Sequence, residues 1–211
     1  GGLIKGNATM GQGGGIYIDE KRIRDTAEAV LSGGVISQNI SNGDGGGIYN
    51  NGSLKLASGL VKDNVSEGDG GGIYNKKMLN LEGSLEIINN YKAQEASLHR
   101  VDNHIDNNLF LSQGSTLGFS GELDKNSQVG LTFEAEEIGN MIDGTDFARY
   151  ISKFFSDDAG LKIVFEDGEV KLTAKTETPG ETPDGTPGET PEETPGEKPD
   201  GTEDGFQQND Y

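Results

Sequence analysis

The chain has 211 residues, 34 of them glycine, no cysteine and a net charge of −19. That acidic balance works against nucleic acid or an anionic membrane as partner, because phosphate binding needs clustered Lys and Arg. The lack of cysteine removes disulfide staples and thiolate metal sites, and no apolar run approaches the ~18 residues that span a bilayer.

Along the chain the first feature is a repeat. Gly-Gly-Gly-Ile-Tyr ends at Tyr17, Tyr49 and Tyr74, and each copy has the same upstream flank. Gly2-Leu3-Ile4-Lys5-Gly6-Asn7 aligns with Gly34-Val35-Ile36-Ser37-Gln38-Asn39 and Gly59-Leu60-Val61-Lys62-Asp63-Asn64. The unit reads G-[LV]-[IV]-x-x-N-x-[ST]-x-G-[DQ]-G-G-G-I-Y. The copies are 32 and then 25 residues apart, and the extra seven fall in the charged stretch Asp19–Asp25, expected to be a surface loop. A fixed period of this size marks a repeat architecture. Each period holds three short apolar pieces, Ile-Tyr, Leu-x-Leu and Val-Ile, separated by Gly or Asn. Such pieces predict short strands, and triple glycine in mid-repeat argues against a helical solenoid. The expected fold is therefore all-β, a right-handed parallel β-helix whose coils occupy residues 1–133.

In that arrangement equivalent residues stack at the strand spacing of ~4.8 Å. Asn7, Asn39 and Asn64 are expected to form a hydrogen-bonded ladder, continued by Asn90. Ile4, Ile36 and Val61 should form an inward aliphatic column, and Ile16, Ile48 and Ile73 another. By parity Tyr17, Tyr49 and Tyr74 should point out.

The paired G-G-x-I and [FIV]-x-x-N elements resemble the repeat of polymorphic outer-membrane and adhesin-like proteins, which are right-handed parallel β-helices. The GGGIYN version at Gly45–Asn50 and Gly70–Asn75 is closer to surface β-helix proteins of Gram-positive gut bacteria. Asn107–Leu111 followed by Gly114-Ser115-Thr116-Leu117 is similar to the segment that ends such domains. The resemblance covers roughly residues 1–173. It implies an extracellular protein, secreted or on the cell surface, with a host or bacterial surface glycan or protein as partner. It carries no cofactor, and fold likeness alone does not choose among adhesin, stalk and enzyme.

After Tyr91 the repeat gives way to a polar insertion, Tyr91–Asp106, with a helical turn expected around Ala96–Val101. Strand alternation returns at Leu109/Leu111, Leu117/Phe119 and Val129/Leu131/Phe133. Phe147, Tyr150, Ile151 and Phe154 follow helical spacing, with Thr145 or Asp146 as N-cap. Leu161/Ile163/Phe165 and Val170/Leu172 flank Asp167-Gly168, a hairpin signal. Residues 134–175 are read as a helix and hairpin that cap the last coil. The chain starts inside a repeat without a polar cap, so earlier coils and a signal are expected upstream.

From residue 176 a disordered acidic Thr-Pro spacer is expected. All six prolines lie there, one every fourth residue from Pro179 to Pro199, with 2 basic against 11 acidic residues over 175–211. Such a chain cannot bury enough apolar surface to offset ~1–2 kcal/mol per ordered residue. Deleting residues 176–211 should therefore leave the melting temperature unchanged. A loss above about 1 kcal/mol on truncation would show that the tail takes part in folding.

Sites of chemistry are few in the sequence. Asp44 and Asp69 occupy equivalent positions, with Asp63 close by. They are weak candidates for a cation or acid–base pair, because Gln12 replaces them in the first copy and Asp in a Gly-rich turn caps its own backbone. His99 and His104, with Asp102 and Asp106, offer metal-ligand types, but a spacing of five puts the histidines on different helix faces. Asn7, Asn39 and Asn64 match the glycosylation pattern only because each opens the same repeat position. Tyr17, Tyr49 and Tyr74 offer rings for sugar stacking, against a self-stacking ladder as the plainer reading. No catalytic residue and no metal ligand is assigned. The expected function is a non-catalytic surface module, with the C-terminal part of a polysaccharide lyase or hydrolase whose active site lies upstream as the alternative.

Overall fold

The computed structural model describes residues 1–19, 28–93, 104–133, 144–167 and 169–175. The spacer, most of the Asp19–Asp25 loop and the helical turn expected near Ala96–Val101 lie outside them, as do His99 and Asp102. Gly1–Lys175 makes one compact unit.

The first turn of the repeat forms β1 (Leu3–Lys5), β2 (Ala8–Thr9), β3 (Ile16–Asp19) and β4 (Glu28–Leu31). The second gives β5 (Val35–Ser37), β6 (Ile40–Ser41), β7 (Ile48–Asn51) and the ten-residue β8 (Ser53–Lys62). The third gives β9 (Val65–Ser66), β10 (Ile73–Asn75) and the eleven-residue β11 (Met78–Ile88). Then come β12 (Tyr91–Ala93), β13 (His104–Asp106), β14 (Leu109–Leu111), β15 (Thr116–Leu123) and β16 (Gln128–Phe133). The chain ends in α1 (Gly144–Tyr150), a 3-10 turn, β17 (Phe154–Ser156), β18 (Leu161–Glu166) and β19 (Glu169–Ala174).

Successive turns pair in parallel, with Ile16 beside Ile48 beside Ile73 and Ile4 beside Ile36 beside Val61. The strands do not, however, build the right-handed parallel β-helix solenoid expected from the sequence. They form one 12-stranded sheet, β1-β5-β8-β11-β16-β14-β10-β7-β3 with β4, β15 and β17 attached, curled into a half-barrel. A five-stranded sheet, β13-β12-β9-β6-β2, and the β18-β19 pair complete it. Two local features explain the difference. The Leu-x-Leu and Val-Ile pieces are not separate strands: β8 and β11 run through both, bending where Ser58, Gly59 and Gly83 take positive φ. And β16 bridges the rows, pairing Val129 with Ile87 of β11 and Leu131 with Leu109 of β14. Antiparallel pairs also enter, between β12 and β13 and between β18 and β19.

The triple glycine has a steric cause. Gly45 and Gly70 adopt φ of +71° and +68°, the left-handed region that favours glycine. A Cβ on Gly46 would collide with the carbonyl oxygens of Gly71 and Val65 in the next turn. The core is aliphatic, with Ile48, Leu54, Ile73, Leu79, Leu81, Ile87, Leu109 and Leu111 fully buried.

The helix is shorter than its spacing predicts. It stops at Tyr150, and Phe154 begins β17, which pairs with β16 through Val129. Phe154 gains more there, packed 4.7 Å from the Phe147 ring and against Phe119. α1 packs on β15, β18 and β19. The hairpin turns at Asp167, whose φ of +57° suits a tight two-residue connection.

Candidate functional site

Three columns of repeat side chains run across the turns. The aromatic one comes first. Tyr17 and Tyr49 stack at 5.1 Å, Tyr49 and Tyr74 at 5.3 Å, both within 4° of parallel, and Phe110 of β14 continues the stack at 5.3 Å. Tyr faces opposite to Ile, as parity demands, but pointing away from the aliphatic core is not the same as being open. Tyr17 is 52% exposed whereas Tyr49 is 4% exposed. Both faces of Tyr49 are covered by neighbouring rings. Sugar stacking needs a free ring face; of the two end rings, Tyr17 is half exposed, whereas Phe110 is buried beside Thr132.

The second column is an amide ladder. The Nδ2 of Asn7 donates to Asn39 Oδ1 at 2.9 Å, that of Asn39 to Asn64 at 2.9 Å, that of Asn64 to Asn90 at 2.9 Å, and that of Asn90 to Asn108 at 3.0 Å. Each rung's backbone N–H donates to the same oxygen. The second Nδ2 hydrogen of Asn39, Asn64 and Asn90 returns to a carbonyl of the preceding turn, at Ile4, Ile36 and Val61. The ladder is thus directional: from Asn39 to Asn108 each amide accepts from the preceding Asn and donates to the next acceptor.

A directional ladder needs an acceptor at its far end. Asp157, just after β17, supplies it. Asn108 donates its backbone N–H at 2.7 Å and its Nδ2 at 2.6 Å, and Thr132 Oγ1 donates at 2.7 Å. A carboxylate fits because it accepts on both oxygens. Sequence reading reached Asn90 and missed Asn108 and Asp157. In the sequence the Asn107-Asn108 pair carries only a likeness to a domain end, and Asp157 belongs to no repeat.

Burial holds the Asp157 carboxyl above the usual Asp range, against the lowering effect of the Asn108 and Thr132 bonds. A folded-state value above the unfolded one means the folded state binds the proton more tightly. That contribution to stability is complete below the ordinary Asp range and fades as pH rises through the raised value. In urea melts across that window, wild type should lose stability relative to Asp157→Asn as pH increases. A flat difference would show that Asp157 is solvated. Asp157→Ala should cost about 1–3 kcal/mol below that window, by leaving the Asn108 donors unpaired, and less above it.

The third column contains the candidate carboxylates. Gln12 Nε2 donates to Asp44 Oδ2 at 3.4 Å, Asp44 Oδ1 accepts the Asp69 N–H at 2.9 Å, and Asp69 Oδ1 meets Lys92 Nζ at 2.7 Å. Asp44 and Asp69 are therefore joined turn to turn rather than converging on a shared ligand. Asp63 pairs with Lys62 at 3.5 Å. His104 stacks on Tyr91 at 5.5 Å. Among the described residues no three His, Cys, Asp or Glu side chains gather as metal ligands. A shorter polar column, not foreseen, links Asn50 Nδ2 to Asn75 Oδ1 at 2.7 Å.

Compared with family models, curated proteins and solved structures, the chain matches none.

Proposed function

We propose that the chain is a non-catalytic extracellular module of an adhesin-like bacterial surface protein, its repeat turns serving as a stiff stalk or presenting body. The observation that supports this best is the turn-to-turn engagement of the repeat's polar and aromatic side chains. The amides, the Asp44/Asp69 carboxylates and the tyrosine ring faces are used on one another. Side chains kept for catalysis converge on a cleft instead. The repeat's likeness to surface-protein repeats and the acidic Thr-Pro spacer read from the sequence support the same assignment. A host or bacterial surface glycan or protein is the partner class, and no cofactor is invoked.

Two measurements test it. On intact cells of the bacterium that makes it, added protease should remove the chain while a cytosolic marker survives. Digestion only after lysis would sink the surface assignment. The purified chain, incubated with neutral and acidic polysaccharides, should release neither reducing ends nor unsaturated products; release of either would overturn the non-catalytic reading.

A further inference from the structure

The amide ladder ends in a fork of donors that no amide fills. Within the ladder each Asn holds its backbone N–H and its Nδ2 side by side, and both close on one oxygen of the next rung. Asn108 offers the same pair, but here each donor takes an oxygen of its own. Its N–H reaches Asp157 Oδ2 at 2.7 Å and its Nδ2 reaches Oδ1 at 2.6 Å. Thr132 Oγ1 adds a third donor to Oδ2 at 2.7 Å. Three donors spread over two oxygens match a carboxyl group; an amide would bring a single acceptor oxygen and an NH2 facing donors. The fork is held from the repeat's side. Asn90 grips Asn108 Oδ1 with its N–H and Nδ2, and Thr132 on β16 is fixed in register opposite Phe110. Gly130 is its floor. The φ of Gly130 lies outside the left-handed region, so close approach explains the glycine: a Cβ there would collide with Asp157 Oδ1 and Asn108 Nδ2.

We propose that this end of the ladder is a binding site for a carboxyl group, built by Asn108, Thr132 and Gly130 and filled in cis by Asp157. The closing strand β17 is then the site's ligand. It lies on β16 with Phe154, Phe155 and Ser156 beside Val129, Gly130 and Leu131, and it delivers the carboxyl one residue further on. A small free carboxylate takes the place of the Asp157 side chain once that side chain is removed. The neighbouring Asp106 carboxylate and the burial of the fork both work against negative charge there. They select a singly charged, planar ligand over a doubly charged one such as phosphate.

The test is Asp157→Gly in the full chain, titrated with sodium formate and, in parallel, with sodium chloride at equal ionic strength. Formate should raise the folding equilibrium constant read from urea unfolding, about elevenfold at ten times its Kd, and chloride should not reproduce the rise. The Asn108 backbone amide resonance should shift with the same Kd. In wild type, where Asp157 fills the fork, it should stay in place. Adding Gly130→Ala to Asp157→Gly puts a Cβ into the fork and should abolish both responses. Should Asp157→Gly not fold, Asp157→Ala is read in the same way, since its loss of stability is the smaller. An equal effect of chloride, an Asn108 resonance that ignores formate in the folded variant, an equal shift in wild type, or a rescue that survives Gly130→Ala would each overturn the proposal.

Discussion

Ile48→Asp is expected to destabilise the chain by roughly 3–5 kcal/mol, the cost of an uncompensated buried charge, and so to consume much of a typical domain's 5–15 kcal/mol. Ile48 is fully buried, lies in register between Ile16 and Ile73, and belongs to the aliphatic core. Among the described residues the core around that column is hydrophobic, so the carboxylate must either protonate or drag water into the core. The neighbouring tyrosines provide an internal control. From parity alone Tyr49→Ser would be mild. With Tyr49 stacked on two rings and 4% exposed, it should instead cost about 2–4 kcal/mol. Tyr17→Ser, with one ring neighbour and half its surface in water, should cost about 1 kcal/mol. Urea unfolding of the three variants at neutral pH orders them. An Ile48→Asp protein within 1 kcal/mol of wild type would show that the column is not a dry core.

What was legible in the sequence was whatever repeats. The spacing of GGGIY and of the Asn set the register, because parallel strands one period apart place identical residues side by side. Hence Ile16, Ile48 and Ile73 pair directly, as do Asn39 and Asn64 through their side chains. The sheet topology was not legible. Ser58-Gly59 reads as a break between two strands, yet both residues at positive φ bend β8 without ending it. Nothing in the local pattern of Gln128–Phe133 shows that it joins two rows into one 12-stranded sheet, since that is decided by long-range pairing. Phe154 keeps helical spacing with Phe147 and still leaves the helix, because a place beside Val129 outweighs a weak local propensity. The candidate site failed differently. Parity told which way Tyr49 points but not that stacked rings would bury it. The ladder's terminus, Asp157, lies 49 residues beyond Asn108 and outside any repeat.

Asn64→Ala should be the most damaging polar substitution in the ladder, costing roughly 3–5 kcal/mol. Asn64 is fully buried at the ladder's centre. Its Oδ1 accepts from the Asn39 backbone N–H at 3.0 Å and from Asn39 Nδ2 at 2.9 Å. Its Nδ2 donates to Asn90 Oδ1 at 2.9 Å and to the Ile36 and Lys62 carbonyls at 3.0 Å each. Alanine leaves the two Asn39 donors without Oδ1 and the Ile36 and Lys62 carbonyls without Nδ2, although Asn90 Oδ1 keeps the residue-64 backbone N–H at 3.1 Å, and each such group costs about 1–3 kcal/mol before relaxation. Asn7→Ala removes a rung that is exposed, and the Asn7 backbone N–H still reaches Asn39 Oδ1 at 3.1 Å. It should cost under about 1 kcal/mol. Asn64→Asp separates hydrogen-bond direction from shape. The ionised carboxylate still accepts from Asn39 but faces Asn90 Oδ1 with no proton to give, whereas the protonated form restores a donor. Burial and that missing donor both raise its folded-state pKa, so its destabilisation should shrink as pH falls, relative to Asn64→Ala measured in the same buffers. If Asn64→Ala and Asn7→Ala unfold at the same urea concentration, the ladder is decoration on a sheet that holds itself together by its apolar face. A threefold or larger difference in cost would show that the amides carry the register from turn to turn.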